Sequence, residues 1–312
     1  MIIAPMRPLA VLDYTLTTAL GAGRAAQLQG LREGRSGLTQ GFDDCTLACW
    51  VGRVAGLEVP LANEWDCRNN RLAEQGLQQD GFMDAALRLK ARHGPARIGV
   101  FIGTSTAGVA QTERAYRERD RVAHQLPDWF DYQRTQNTFS PADYVRTRLG
   151  LEGIAVAIST ACSSSAKVFA AAQRAIAAGL CDAAVVGGVD SLCLTTLYGF
   201  NALQLLSPDP CRPADAARRG ISIGEAAAFA LVAPASDDGA LALLGYGESS
   251  DAHHMSAPEP EGRGATEAMR AVVLPRPCGP HWRARRCCRA MSNTCICTAR
   301  PRPPTTWPKT MQ

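Results

Sequence analysis

The stretch IAVAISTACSSSAKVFAAAQRAIAAGLCDAAVVGGVDSL, residues 154–192, decides the fold of this chain. Its pattern predicts an apolar strand over Ile154–Ile158, a sharp turn that contains Cys162, a helix rich in small residues, and a second apolar strand over Ala183–Val189. A cysteine at a strand-to-helix turn lies beside unpaired backbone N–H groups and the positive end of the helix dipole. That position favours thiolate over thiol, so Cys162 is predicted to be a nucleophile at a buried helix tip. The alternative is one more small buried apolar residue.

The same stretch resembles the active-site turn of the β-ketoacyl-[acyl-carrier-protein] synthases, which are condensing enzymes of the thiolase superfamily. TACSSSA and DAAVVGGVDSL carry the resemblance, and four further segments extend it: LREGRSGL (31–38), RIGVFIGTSTAG (97–108), CRPADAARRGISIGEAAAFALV (211–232) and SSDAHHMSAPEPEG (249–262). Segment 211–232 departs from the family pattern because Ala226 and Ala228 stand where glycines are usual.

The resemblance implies an α/β chain with the layered αβαβα thiolase-like fold, its first half complete and its second half largely missing. It implies a β-ketoacyl synthase N-terminal domain over residues 1–250, the start of a C-terminal domain over 251–273, and an out-of-frame-like, disordered tail over 274–312. The residues themselves indicate the same class. Apolar strands that alternate with helices favour a sheet covered on both faces.

Three helical segments are predicted from hydrophobic spacing and breaker residues. Arg68–His93 is expected to form one amphipathic helix that ends before Gly94-Pro95. A second helix is expected to start with Ser140 as N-cap and Pro141 as its first residue. The helix after Cys162 is expected to be buried and central, because its apolar residues recur at helical spacing: Ala166, Phe169, Ala170, Ile176, Ala177 and Leu180.

The implied activity is that of a 3-oxoacyl-[acyl-carrier-protein] synthase, an acyltransferase of fatty-acid or polyketide-type biosynthesis. An acyl group moves from acyl carrier protein to Cys162, and a malonyl-carrier then loses CO₂ and attacks the new thioester. The implied partners are the carrier and a second copy in a homodimer. No metal is implied, and no cofactor beyond the phosphopantetheine that arrives on the carrier.

The family's in-frame H-G-T-x-T histidine motif, second histidine motif and Gly-rich oxyanion loop are missing. The alternatives are therefore an inactive remnant that at most binds a carrier or another partner, or a thioesterase-like hydrolase.

Three other residues receive roles from the resemblance. Thr106 lies among small residues expected to line an acyl channel, the alternative being a tight turn. His254 stands where the family carries a histidine near the pantetheine entrance, the alternative being an ordinary loop residue. Glu225 resembles the buried glutamate of the family's G-E-G-A segment and is expected to anchor the structure below the pocket through hydrogen bonds.

The amino-acid composition narrows the classes of protein to which the chain can belong. The chain is 46% hydrophobic, 20% charged and 6% aromatic, as in ordinary globular proteins. It has no apolar run that would cross a membrane and no basic leader, so a cytoplasmic location without membrane contact is expected. Its net charge of +4 comes from the end of the chain, which has no acidic residue after Glu267, so no nucleic-acid partner is expected for the folded part. Seven of the twelve cysteines are scattered through core-like segments and are expected to be reduced thiols: Cys45, Cys49, Cys67, Cys162, Cys181, Cys193 and Cys211.

The amino-acid composition changes from about Pro275, after which the chain is rich in arginine, proline and cysteine and has no acidic residue. This segment has three interpretations: a basic nucleic-acid-binding arm, out-of-frame translation, or a metal site built from Cys278, His281, Cys287, Cys288, Cys295 and Cys297. The codons of Asn293–Gln312, read two nucleotides later, permit H-G-T-A-T-P-x-N-D-L-A-E. That string is similar to the family's H-G-T-x-T-P motif, so a frameshift is the favoured interpretation.

Overall fold

The structure, a computed structural model, describes residues 7–62, 64–235, 241–254 and 259–273, together with the backbone of 282–283, 289–291 and 294–301. The helices in these residues are α1 (Gly23–Arg32), α2 (Arg68–Leu77), α3 (Phe82–His93), α4 (Val109–Arg117), α5 (Ser140–Arg148), α6 (Ser164–Ala177), α7 (Leu194–Ala202) and α8 (Arg263–Val273). The strands are β1 (Leu9–Thr18), β2 (Gly21–Ala22), β3 (Leu38–Gln40), β4 (Trp50–Gly52), β5 (Ile98–Gly103), β6 (Ala155–Ile158), β7 (Ala183–Asp190), β8 (Ile223–Gly224), β9 (Ala226–Pro234), β10 (Leu241–Glu248), β11 (Trp282–Arg283), β12 (Arg289–Met291) and β13 (Thr294–Pro301).

A mixed sheet organises this part of the chain. Its strand order is β11-β13-β10-β1-β9-β7-β5-β6, with β2 beside β1 and β12 beside β13. Strands β7, β5 and β6 run parallel, whereas β9, β1 and β10 pair antiparallel. Strand β6 is the last in this order, so no described strand pairs with its outer edge. A small second sheet joins β3, β4 and β8.

Helices cover both faces of the large sheet, as the apolar strands predict. Successive side chains of a strand point to opposite faces. On β5, Val100 and Ile102 pack into the core beneath α2, α3 and α5, whereas Phe101 packs into the core beneath α6. Strand β7 divides its residues in the same way, with Val185 on the first face and Val186 on the second.

The predicted buried stripe of α6 is wrong in its orientation. The residues that α6 buries are Ser164, Val168, Ala170, Ala172, Gln173 and Ala175, of which only Ala170 belongs to the predicted stripe. Phe169 and Ile176 are only partly buried, and Leu180, just beyond the helix, is 55% exposed. The helix lies so close to the sheet that mainly small side chains fit between them, whereas Phe169 and Ile176 pack against this core and stay partly exposed.

The predicted single helix over Arg68–His93 is broken in two. Between α2 and α3 the backbone turns left-handed at Asp80 (φ 58°) and Gly81 (φ 71°). The Asp80 carboxylate accepts a hydrogen bond of 3.0 Å from the Arg24 backbone N–H at the start of α1, and another of 3.0 Å from the Thr15 hydroxyl. These contacts join distant parts of the chain, so helical spacing alone does not reveal the break.

The start of α5 also differs from the prediction by one residue. Its N-cap is Phe139, and Ser140 is the first helical residue, with Pro141 following. The Ser140 hydroxyl bonds to the Arg134 carbonyl instead of capping its own helix.

The tail expected to be disordered contains three strands in its described backbone. Strand β13 pairs antiparallel with β10, and β11 and β12 pair with β13. The candidate metal ligands Cys278, His281, Cys287, Cys288, Cys295 and Cys297 lie outside the residues whose side chains are described. The three interpretations of the tail and the proposed domain boundaries therefore stay predictions. Among the described helices, none is both long and apolar enough to cross a membrane.

Candidate active site

Cys162 lies in the turn between the end of β6 and the start of α6, the position that the sequence predicts. It directly precedes Ser163, the N-cap of α6. The residue before it, Ala161, has a φ of 52°, in the left-handed region that is unfavourable for a residue with a side chain. Such strain persists only where the surroundings hold it in place.

Hydrogen bonds hold the strained turn at Ala161. The Ala161 carbonyl accepts from the Ser164 hydroxyl at 2.6 Å, from the Ser164 backbone N–H at 3.1 Å and from the Ser105 hydroxyl at 3.0 Å. The Ser164 hydroxyl in turn accepts from the Thr160 N–H at 2.8 Å. The Ser163 hydroxyl donates to the Thr160 carbonyl at 2.9 Å. The Ser-rich sequence therefore fixes the backbone on both sides of Cys162.

Two glycines bring the start of α6 directly onto the sheet. A Cβ on Gly103, the last residue of β5, would lie 2.5 Å from the Ser165 backbone nitrogen. A Cβ on Gly188 of β7 would lie 2.6 Å from the Ser165 Cβ. Real Cβ atoms do not approach other atoms so closely, so both positions need glycine for the nucleophile turn to take its place.

We expect Gly103→Ala to lower the free energy of unfolding by about 1–3 kcal/mol, because the new methyl group collides with backbone of α6. Urea denaturation would measure the loss. The matched control is Gly199→Ala in α7, where a Cβ meets nothing within 4 Å. That change should be neutral or stabilising by up to about 1 kcal/mol. Equal stability of the two variants would contradict the close packing described.

Thr106 lies in a loop that Asp190 organises. One Asp190 oxygen accepts from the Thr106 backbone N–H at 2.9 Å, the Thr106 hydroxyl at 2.9 Å and the Ser105 N–H at 2.7 Å. The Thr106 hydroxyl also accepts from the Ser191 N–H at 3.0 Å, and Thr106 is only 8% exposed. The Thr106 hydroxyl is therefore already hydrogen-bonded within the protein, to Asp190 and to Ser191. Its role as an acyl-channel residue stays a prediction.

Glu225 is 2% exposed and its carboxylate accepts four hydrogen bonds. The Arg68 guanidinium donates two, at 2.5 and 2.8 Å. The Val54 N–H donates at 2.8 Å and the Leu192 N–H at 3.0 Å. Leu192 follows Ser191, whose N–H is bound by Thr106, so a hydrogen-bonded path leads from Glu225 to the loop beside the Cys162 turn.

His254 lies in the loop between β10 and α8 and is exposed. Nearby along the chain, Glu248 at the end of β10 pairs with Lys167 and Arg174 of α6, with N–O distances of 3.3 and 2.9 Å.

The structure joins Cys162, Thr106 and Glu225 through shared loops, whereas the role of His254 stays a prediction. In the described residues, no three His, Cys, Asp or Glu side chains cluster as metal ligands would.

Cys162 differs from the other described cysteines in its accessibility. All seven are free thiols, and only Cys162 is exposed. Burial raises the pKa of the Cys67 thiol to about 12 and also raises the pKa of Cys181 and Cys193. A buried thiol that stays protonated is a poor nucleophile. Accessibility therefore singles out Cys162 as the thiol that a large substrate would reach.

The expectation of a buried helix tip is thus wrong for the thiol itself. The Ser163 and Ser164 side chains next to Cys162 are buried, whereas Ala161 and Cys162 are exposed. The turn is anchored in the fold while its nucleophile faces outward.

Comparison with known sequences decides the family. The family described as "Beta-ketoacyl synthase, N-terminal domain" matches residues 70–238, which is more than half of the chain and includes the Cys162 turn and Glu225. The chain belongs to the β-ketoacyl synthase family.

Curated relatives of this β-ketoacyl synthase chain include a nodulation protein E and a 3-oxoacyl-[acyl-carrier-protein] synthase, both from Rhizobium meliloti. "Nodulation protein E" is 33% identical over 184 residues, 57% of this chain and 45% of the relative. "3-oxoacyl-[acyl-carrier-protein] synthase 2" of strain 1021 is 32% identical over 205 residues, 61% of this chain and 48% of the relative. The chain therefore spans about half the length of the curated relatives it matches.

Solved structures of the family share the fold. A "Ketosynthase (ApeO) in Complex with its Chain Length Factor (ApeC)" from Xenorhabdus doucetiae matches with a TM-score of 0.75 at 35% identity, over 86% of this chain and 67% of that one. A β-ketoacyl synthase from Burkholderia phymatum STM815 matches in fold with a TM-score of 0.72 at 23% identity, over 86% of this chain and 70% of that one. The expected thiolase-like α/β fold is confirmed.

Sequence reasoning missed the residues that position the nucleophile turn of this ketoacyl synthase chain. Asp190 received no role, and Ser105 was included only among the small residues of segment 104–108 that are expected to line an acyl channel. Two signals were present in the sequence: the run of hydroxyl residues 104–106 directly after β5, and Asp190 at the end of β7. Such side chains commonly bond to nearby backbone. Their partners are more than fifty residues away in sequence.

Proposed function

We propose that this chain performs the acyl-transfer step of a 3-oxoacyl-[acyl-carrier-protein] synthase, with Cys162 as the acyl acceptor. One observation carries the proposal. In a chain of the ketoacyl synthase family, the single exposed thiol among the described cysteines lies in a strained turn at the start of α6. An accessible sulfur next to the positive end of a helix is suited to attack a thioester carbonyl.

The proposed step transfers an acyl group between two sulfur atoms. The Cys162 sulfur forms a bond to the carbonyl carbon of an acyl-carrier thioester. The bond from that carbon to the pantetheine sulfur then breaks, and the departing thiolate takes up the proton that Cys162 released. The family resemblance makes the Cys162 backbone N–H one donor to the developing oxyanion, and such donors are typically worth about 3–4 kcal/mol each.

The complete reaction would continue with malonyl-carrier. Loss of CO₂ leaves a carbanion that attacks the Cys162 thioester, forms the new carbon–carbon bond and releases the cysteine thiolate. In the family, two histidines assist this second step, and their motifs do not occur in this sequence. Because the chain spans about half the length of its curated relatives, the condensation is proposed for the lineage and acyl transfer for this chain.

We further propose that the chain pairs with a second copy through β6. The outer edge of β6 has no partner among the described strands, all four of its residues are half-buried, and the adjacent Ile154 is 38% exposed. An unpaired strand edge presents backbone donors and acceptors to another strand. Equilibrium sedimentation would test the pairing, and a monomer at micromolar concentration would reject it.

Intact-protein mass spectrometry tests the acyl-transfer proposal. The full chain is incubated with an acyl-carrier thioester, and peptide mapping then locates any acyl adduct. An adduct on Cys162 supports acyl transfer, and adding malonyl-carrier shows whether condensation follows. Release of free acid without a lasting adduct would identify a hydrolase. No adduct and no product would overturn the proposal in favour of an inactive remnant that at most binds a carrier.

A further inference from the structure

We propose that Ser105 and Asp190 are positioning residues for acyl transfer, because together they fix the direction of the Cys162 backbone N–H. That N–H is the proposed donor to the oxyanion that forms when the Cys162 sulfur attacks a thioester. The inference rests on the proposed acyl-transfer function. Both residues act through the peptide bond that joins Ala161 to Cys162.

The Ala161 carbonyl and the Cys162 N–H belong to the same peptide unit. A trans peptide unit is planar, so its C=O and its N–H point in opposite directions. Groups that hold the Ala161 carbonyl therefore also set the direction of the Cys162 N–H. A hydrogen bond accepted by the carbonyl polarises the unit as well, which makes its N–H a stronger donor.

Ser105 ties this peptide unit to a distant part of the fold. Two of the three hydrogen bonds to the Ala161 carbonyl come from Ser164, which belongs to the start of α6 itself. The third comes from the Ser105 hydroxyl at 3.0 Å, and Ser105 lies 56 residues earlier, in the loop after β5. The Ser105 hydroxyl is thus the contact that fixes the turn relative to the sheet.

Asp190 in turn holds Ser105, which is itself exposed to solvent. The Ser105 backbone N–H donates to one Asp190 oxygen at 2.7 Å, and the Thr104 hydroxyl donates to the same oxygen at 2.9 Å. The Thr104 hydroxyl also accepts from the Ala107 N–H at 2.9 Å, and Ala107 has a left-handed φ of 38°. Hydrogen bonds to an ionised oxygen are stronger than those between neutral groups, so the carboxylate can maintain a strained loop.

This arrangement affects acylation of Cys162 but not every reaction of its thiol. An oxyanion donor stabilises the transition state of attack on a carbonyl and contributes little before attack. Loosening the donor should therefore lower the acylation rate at saturating acyl donor and leave the half-saturating concentration unchanged. Alkylation by iodoacetamide is a displacement at carbon that forms no oxyanion, so its rate should also stay unchanged.

Acetylation of the full chain by p-nitrophenyl acetate tests the inference without a carrier. The Cys162 sulfur bonds to the acetyl carbon, the ester C–O bond breaks, p-nitrophenolate leaves, and the thiol proton passes to solvent. Absorbance follows the p-nitrophenolate, peptide mapping locates the acetyl group, and Cys162→Ser gives the background.

We expect Ser105→Ala to slow acetylation by about 10-fold, as for the loss of one hydrogen bond, and Asp190→Ala by at least as much. Ser105→Thr and Asp190→Asn keep a hydroxyl and an acceptor oxygen, so each should restore most of the rate. Because the two residues act in series, the double alanine variant should be no slower than Asp190→Ala. Iodoacetamide should alkylate Cys162 at a rate within about 2-fold of the original in every variant.

Two variants away from the turn serve as matched controls. Ser36 is an exposed loop serine whose hydroxyl accepts from the Leu38 N–H at 3.2 Å. Asp182 directly precedes β7, at the opposite end from Asp190, and binds Arg97. Ser36→Ala and Asp182→Ala should leave the acetylation rate within about 2-fold of the original. Urea denaturation checks that each variant folds, and the exposed Ser105 keeps the test open if Asp190→Ala does not.

Three outcomes would overturn the inference: Ser105→Ala is acetylated at the original rate, its acetylation and alkylation fall together, or the original chain takes no acetyl group on Cys162. A parallel reaction with an acyl-carrier thioester tests the proposed function separately. Acetylation that depends on Ser105 without any acyl transfer from the carrier would reject that function and keep the positioning role. Transfer from the carrier at equal rates in the original chain and in Ser105→Ala would do the reverse.

Discussion

Cys162→Ser is expected to abolish acylation of the chain by an acyl-carrier thioester, with a fall in rate of about 10³-fold or more. The reason is chemical, because a serine hydroxyl stays protonated at neutral pH unless a base activates it. The contacts around the turn are made by Ser105, Thr160, Ser163 and Ser164, which are hydroxyl residues and supply no such base. Intact-protein mass spectrometry would follow the adduct over time.

The control for this variant is Cys211→Ser. Cys211 is a free thiol of intermediate exposure in a segment shared with the family, but it lies outside the nucleophile turn. Its replacement should leave the acylation rate within about 2-fold of the original, as is usual for a group that does not contact the reaction. Acylation of Cys162→Ser at the original rate would show that another thiol accepts the acyl group, and the proposed role of Cys162 would be lost.

Glu225→Gln is expected to lower the free energy of unfolding by about 3–5 kcal/mol, because it leaves the Arg68 guanidinium buried without its counter-charge. The Glu225 side chain is fully buried and that of Arg68 is 17% exposed, so water replaces the lost partner only in small part. A glutamine amide has one acceptor oxygen, whereas the carboxylate has two. The N–H groups of Val54 and Leu192 therefore cannot both keep their acceptor. Urea denaturation would measure the change.

An exposed ion pair provides the matched control for Glu225. Asp209 and Arg219 lie 3.0 Å apart, with side chains 55% and 66% exposed. Asp209→Asn should change stability by at most about 1 kcal/mol. In a double-mutant cycle, Glu225→Gln and Arg68→Ala should also cost much less together than the sum of the two single changes. Additive effects would mean that the two side chains do not act as one unit.

The local order of strand, turn, helix and strand around Cys162 follows from the sequence because it depends on short-range patterns. Apolar runs mark β6 and β7, and the Ser-rich turn between β6 and α6 carries its own hydrogen-bonding groups. Small residues along α6 indicate close packing. What they do not specify is the direction of that packing, so the predicted stripe named Phe169 and Ile176 instead of Val168 and Ala172.

Features made by distant contacts could not be predicted in the same way. The Asp80 carboxylate interrupts an otherwise continuous helical pattern because it binds the start of α1, which lies more than fifty residues earlier. The exposure of Cys162 likewise depends on which other elements cover the turn. Glu225 received its role from family resemblance, whereas its partners Arg68 and Leu192 became visible only in the fold.

The outer edge of β6, which pairs with no described strand, has a consequence for the newly synthesised chain. The uncharged outer edge of Ala155–Ile158 pairs with no described strand, and such an edge is a template onto which an extended segment can add. The sequence AVAI has no proline, lysine or other residue that would blunt this edge. A newly made chain is therefore exposed to strand-on-strand association at this edge. If copies pair through β6 as proposed above, the native neighbour that occupies these backbone groups also protects the chain against misassembly.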